Sequence, residues 1–196
     1  MEALKTLLMR LPADCPPTLI TQHMPERFTS AFAQRLNREC PMTVTEATDK
    51  ERIEAGHVYI APGGANHLEL SREGGHYSLS VAEGLPVSGH RPSVDVLFRS
   101  VARVAGRTAI GVILTGMGKD GAQGLLEMRQ AGAITLGQDE ESSLIYGMPR
   151  VAFEYGAVMR QYPLLGLADA IIDACGGDQA AATPARPAAA RSVQAS

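Results

Sequence analysis

With 196 residues, a net charge of −3 and an apolar fraction of 45%, the chain has the composition of one ordinary globular domain with a real core. The slight negative balance gives no electrostatic footprint for nucleic acid or for an anionic membrane surface. No apolar run has the length of a membrane span or the pattern of a secretion signal. Cys15, Cys40 and Cys175 are odd in number and lack metal-ligand spacing, so the expectation is reduced thiols in a cytoplasmic protein without membrane insertion.

In chain order, Leu4, Leu7, Leu8 and Leu11 make a helical stripe from the first residue, closed by Pro12. Thr18 to Gln22 reads as a short strand that ends in Gln22-His23-Met24-Pro25. Glu26 to Cys40 follows as a helix with Phe28, Phe32 and Leu36 on one face. Met42–Ala47 and His57–Ala61 are further strands, the second stopped by Pro62-Gly63-Gly64. His67–Ser71 and His76–Val81 alternate in period two around Gly74-Gly75, the pattern of an antiparallel hairpin. After the loop Gly89–Pro92, Ser93 is the expected N-cap of a helix to Ala105 with Val94, Leu97, Val101 and Val104 inward.

Ala109–Leu114 is nearly all apolar and reads as a strand buried on both faces of a parallel sheet. Gly116 and Gly118 turn the chain, Asp120 arrives where a helix begins, and Ala122–Ala131 has helical spacing with Gly132 as its stop. Ile134–Gln138 is a strand, Asp139–Ser142 an acidic loop, and Met148–Tyr155 and Leu164–Ala174 are closing helices. From Gly176 the composition shifts to Ala, Pro, Gln, Ser and Arg without periodicity, which divides the chain into a domain over 1–175 and a disordered tail over 176–196. Strands alternating with helices predict a doubly wound α/β domain. Its sheet is mainly parallel, helices lie on both faces, and the antiparallel hairpin sits at one edge.

In such a sheet, ligands gather at the carboxyl ends of the strands. Asp120 stands at one such end and His23 at another. Two readings of Asp120 stay open on spacing alone: an N-cap for the helix that follows it, or a buried carboxylate that orients a histidine beside backbone N–H groups. The glycine-rich turn is not a phosphate loop, because no Gly-Lys-Ser/Thr follows. His57 and His76 lie within strand patterns and read as ordinary surface or packing residues. His67 and His90 lie beside turns, where a binding role is open but unforced.

Several blocks together carry a resemblance. They are Gln22-His-Met-Pro25 with Phe28-Thr29; Val58-Tyr-Ile-Ala-Pro62 with His67; His90-Arg-Pro-Ser-Val-Asp95-Val-Leu-Phe98; Leu114-Thr-Gly-Met-Gly118 with Asp120-Gly-Ala122; and Gln138-Asp-Glu140 with Tyr146-Gly-Met-Pro149. In this order, and over Glu2 to about Ala174, the chain resembles the catalytic domain of the chemotaxis protein-glutamate methylesterases. The resemblance implies hydrolysis of γ-glutamyl methyl esters, and deamidation of glutamine, on the cytoplasmic helices of chemoreceptors. No cofactor or metal is needed for that chemistry. It implies His23 as general base, Asp120 as its orienting carboxylate and the Met117 backbone N–H as part of an oxyanion hole. It also implies a serine nucleophile in a Gly-x-Ser-x-Gly-Gly turn just before the helix at Glu2, a turn that this sequence does not contain. The alternative expectation is a catalytically inactive receptor-binding remnant of the same domain. Arg91, Pro92, Ser93 and Asp95 carry no chemical role in either reading; capping and loop rigidity account for them.

Overall fold

The computed structural model describes residues 1–176. The expected tail lies outside the described residues, except that Gly176 closes the last helix. The elements are α1 (Glu2–Leu8), β1 (Thr18–Ile20), α2 (Glu26–Glu39), β2 (Thr43–Glu46), β3 (His57–Ile60), β4 (Asn66–Glu73), β5 (His76–Glu83), α3 (Val94–Val104), β6 (Ile110–Ile113), α4 (Ala122–Gln130), β7 (Ile134–Gln138), α5 (Met148–Glu154), β8 (Arg160–Tyr162) and α6 (Leu164–Gly176). Strand β8 has no counterpart in the sequence reading. At three residues, with Arg160 exposed, it is too short to show a period.

Successive side chains of a strand point to opposite faces, and β3 shows what that does here. Val58 and Ile60 join Leu4, Leu8, Phe32, Leu36 and Leu167, a core built by α1, α2 and α6. Tyr59 and Ala61 join Leu97, Phe98, Leu125 and Ala152, a core built by α3, α4 and α5. Helices therefore cover both faces of a parallel sheet, as the alternation of elements predicts. The hairpin is present and forms its own two-stranded sheet, paired from Asn66↔Glu83 to Glu73↔His76. Gly74 and Gly75 turn it at φ +55° and +87°, the left-handed conformation that a two-residue hairpin turn requires. It is tied to α3 where the Leu70 N–H donates to Ser100 Oγ at 2.8 Å.

The parallel strands fall into two groups, β1-β3-β2 and β6-β7-β8. Among the described residues, strands β1 and β6 each pair on one side only. A cavity of about 920 Å³ touches both, lined by Thr18, Leu19 and Ile20 from β1 and by Ile110, Val112 and Ile113 from β6. Apolar side chains close its two faces, among them Leu8 from α1 and Leu97 from α3. The Thr21 hydroxyl, buried and without a hydrogen-bond partner, also lines it. This explains one departure from expectation. Gly111 and Ile113 of β6 are buried, but Ile110 and Val112, on the opposite face of the strand and lining the cavity, are only half-buried.

Candidate active site

Two strand ends build the site. β1 runs through Thr21 and Gln22 to His23, and Pro25 then starts α2. β6 runs into the glycine turn, which is fixed by the segment at the start of α5: the Gly116 N–H donates to Ile145 O at 3.1 Å, and the Met148 N–H donates to Gly116 O at 2.7 Å. A Cβ at Gly147 would lie 2.6 Å from Gly116 O, so only glycine lets this loop close on the turn. Gly118 and Gly121 adopt φ +98° and +90° and swing Asp120 inward.

Asp120 is 1% exposed and lies 2.7 Å from His23, Oδ2 to Nε2. Oδ2 also accepts the Val94 N–H at 2.7 Å, and Oδ1 accepts the Ser93 hydroxyl at 2.7 Å and the Asp95 N–H at 3.1 Å. Burial by itself pushes this carboxyl up. The hydrogen bonds from His23, Ser93, Val94 and Asp95 outweigh it and hold the group below the usual carboxylate range. An ionised carboxylate only accepts, so His23 Nε2 carries the proton of this bond and Nδ1 is left with the basic lone pair.

The capping expectations need correction. Asp120 does not cap the helix that follows it; the N-cap of α4 is Gly121, with no side-chain cap bond. Asp120 caps α3 instead. Ser93 occupies the N-cap position of α3 but makes no cap bond to that helix: the Val94 and Asp95 N–H groups go to Asp120, and the Ser93 hydroxyl donates there too. A buried ionised acceptor takes the orphan N–H groups and the hydroxyl together, and charge-assisted bonds are the stronger ones. The arrangement is reciprocal. Asp95, in the first turn of α3, accepts the Gly124 N–H of α4 at 2.8 Å. The two helix starts approach so closely that a Cβ on Gly124 would lie 2.8 Å from Phe98 Cβ and 2.9 Å from Asp95 O.

Met117 follows β6 in the same turn. Its side chain is exposed, and its backbone N–H makes no hydrogen bond among the described residues. Met117 and His23 both line one end of the cavity between β1 and β6. No serine of the described residues hydrogen-bonds His23. Ser93 is the one in its network, and it is buried against Asp120. Of the other histidines, His67 is buried and structural: Nδ1 accepts the Ser93 N–H at 3.1 Å and Nε2 donates to Leu85 O at 2.9 Å. His57 lies beside Tyr59, and His76 is exposed at the hairpin turn. His90 is the residue that sequence reasoning did not place. Its ring stacks on His23, centroids 3.8 Å apart and planes within 7°. Its position beside a turn and at the head of the block His90–Phe98 was the signal. Among the described residues no group of three or more His, Cys, Asp or Glu is arranged to hold a metal ion, and no helix is long and apolar enough to cross a membrane.

The CheB methylesterase family model matches residues 1–171. The chain is 58% identical over 172 residues to a protein-glutamate methylesterase/protein-glutamine glutaminase of Rhizobium etli, covering 88% of this chain and 49% of that protein. It is 60% identical over 173 residues to one of Caulobacter vibrioides, covering 88% of this chain and 50% of that protein. The crystal structure of the Thermotoga maritima CheB methylesterase catalytic domain superposes with a TM-score of 0.84 at 34% identity, covering 88% of this chain and 91% of that one. The chain thus spans about half the length of the curated relatives it matches. It belongs to the CheB methylesterase family.

Proposed function

We propose that this chain carries the base and orienting carboxylate of a serine hydrolase that cleaves glutamate γ-methyl esters, and deamidates glutamine, on chemoreceptor helices in the cytoplasm. The observation that carries the reading is the 2.7 Å contact of His23 with a buried, ionised Asp120 at the carboxyl ends of two parallel strands. The names of the relatives support the substrate class.

The chemistry is that of acyl transfer. A serine hydroxyl attacks the ester carbonyl while His23 Nδ1 takes its proton. The negative charge that develops on the carbonyl oxygen is met by the free N–H of Met117. The tetrahedral intermediate collapses, the C–O bond to methoxide breaks, and the imidazolium returns the proton to release methanol. Water, deprotonated by His23, then frees the glutamate carboxylate. Asp120 holds the Nε2–H tautomer throughout and stabilises the imidazolium.

The cavity between β1 and β6 suits an extended segment that brings a serine to His23. Two strand edges unpaired among the described residues, two apolar faces and the orphaned Thr21 hydroxyl suit a parallel strand, and His23 and Met117 both line the cavity. One observation favours a second reading, a receptor-binding remnant without turnover: no serine of the described residues meets His23. Methanol release from methylated receptor separates them. The polypeptide expressed from Met1 should be inert, and the same polypeptide extended upstream by a strand and a Gly-x-Ser-x-Gly-Gly turn should turn over. Inactivity of both, with receptor binding retained, establishes the remnant.

A further inference from the structure

We propose that His90 is a positioning residue, a flat clamp that fixes the ring plane of His23. The inference rests on the reading of His23 as the base. A histidine held only by Nε2–H to a carboxylate can still tilt about that bond. The Nδ1 lone pair lies in the ring plane, so a tilt moves the point at which it meets a hydroxyl. The parallel ring of His90 at 3.8 Å removes that freedom.

His90 is itself held with unusual investment for an exposed turn. Val87 and His90 exchange both backbone hydrogen bonds, N–H to O at 3.0 and 2.9 Å, closing a two-residue turn. Ser88 and Gly89 sit at φ +53° and +80°, the left-handed pair that such a turn demands, and Ser88 adopts it without being glycine. The Ser88 hydroxyl donates to Asp95 Oδ2 at 3.0 Å, the same carboxylate that holds α4 through Gly124. On the other side, Arg91 Nε donates to Gly64 O at 2.7 Å and Nη1 to Gly84 O at 2.8 Å. The residues before and after His90 are therefore pinned to α3 and to two separate loops, and the ring between them lies flat on His23. A shared metal ion does not explain the pair: in face-to-face rings the lone pairs lie in parallel planes and do not converge.

The test uses the full natural polypeptide in which this chain occurs, as wild type, His90→Ala and His90→Phe. Proton NMR of the histidine rings reads the stack directly, because the ring current of His90 shifts the His23 protons upfield. In His90→Ala those protons should move downfield, and kcat should fall about tenfold with KM within about twofold, since loss of orientation weakens the chemical step rather than binding. His90→Phe, which restores a flat face but no titrating group, should recover most of both. Unchanged His23 resonances in His90→Ala overturn the proposal. So does a Phe variant no better than Ala, or a loss confined to KM. If the wild type shows no esterase activity, the functional reading fails, and the ring shifts in the two variants still decide the clamp.

Discussion

The carboxyl ends of β1 and β6 differ sharply from the edges of the same two strands. At the ends, Asp120 receives four donors within 3.1 Å, the starts of α3 and α4 exchange carboxylates, and His23 is held by its edge and one face. Along the edges, a few residues earlier, backbone groups lack a strand partner among the described residues, and the buried Thr21 hydroxyl has no hydrogen-bond partner among them. One region is over-determined and the other under-filled. The difference teaches where order resides: the His23–Asp120 pair is assembled by the starts of α3 and α4, while the edges of β1 and β6 border a cavity.

The sharpest break in the comparison comes from the ends. In an active, upstream-extended polypeptide, His23→Ala and Asp120→Asn should each lower turnover by about four orders of magnitude, because the pair acts as a unit. They should differ in stability. His23→Ala leaves the donors on Asp120 from α3 in place, whereas Asp120→Asn offers one acceptor where two served and leaves buried N–H groups short, at about 1–3 kcal/mol each. Thermal melts of both variants, read beside methanol release, test this. Full activity in folded Asp120→Asn would reduce Asp120 to a cap for α3.

The edges predict the next largest effect. Expressed from Met1, the chain should melt early and aggregate through β1 and β6, and the form extended by a strand should melt sharply and reversibly. Several unsatisfied groups at about 1–3 kcal/mol each rival a whole domain's stability of about 5–15 kcal/mol. Equal, sharp transitions for the two forms would refute the strand-acceptor reading.

Between these lies Gly124→Ala. The added methyl meets backbone and Phe98 below 3 Å and should cost about 1–3 kcal/mol in denaturant melts, with turnover falling alongside as the start of α3 shifts under Asp120. Ser93→Ala should cost only about 1 kcal/mol, the worth of one hydrogen bond among four to the same carboxylate. Acid separates Asp120 from ordinary surface carboxylates. Its folded pKa lies below its unfolded one, so its contribution is complete above the ordinary Asp range and is lost as pH falls through that range to its own lower value. The stability gap between wild type and Asp120→Asn should therefore narrow over that window. A gap independent of pH would mean that the charge is not what α3 needs.

Much of this was legible in the residues. Leucine and phenylalanine spacing marks α1 and α2, Gly74-Gly75 marks the hairpin, and Gly116 and Gly118 mark the turn after β6, because these signals are local and follow from helical period, strand alternation and positive φ. The placement of His23 and Asp120 at strand ends was legible too, since topology alone sends parallel strand ends to one side of a sheet. What was not legible depends on contacts between residues distant in sequence. Asp120 reads equally well as the cap of the helix beside it, and only packing shows that it serves α3, some 25 residues earlier. Ser93 has the right type and position for a cap, yet a stronger acceptor from another loop takes the N–H groups it would have capped. Nothing in the spacing of His23 and His90 announces a stacked pair.

Sequence by itself determined the elements, their alternation and the two titrating side chains that stand at strand ends, because backbone propensity and hydrophobic period act over a few residues. Tertiary structure alone decided which helix each carboxylate caps, which ring covers His23 and where the cavity between β1 and β6 lies. Those outcomes depend on which buried donors and acceptors come within about 3 Å of one another, a distance that is set only when the helices and both groups of strands have packed.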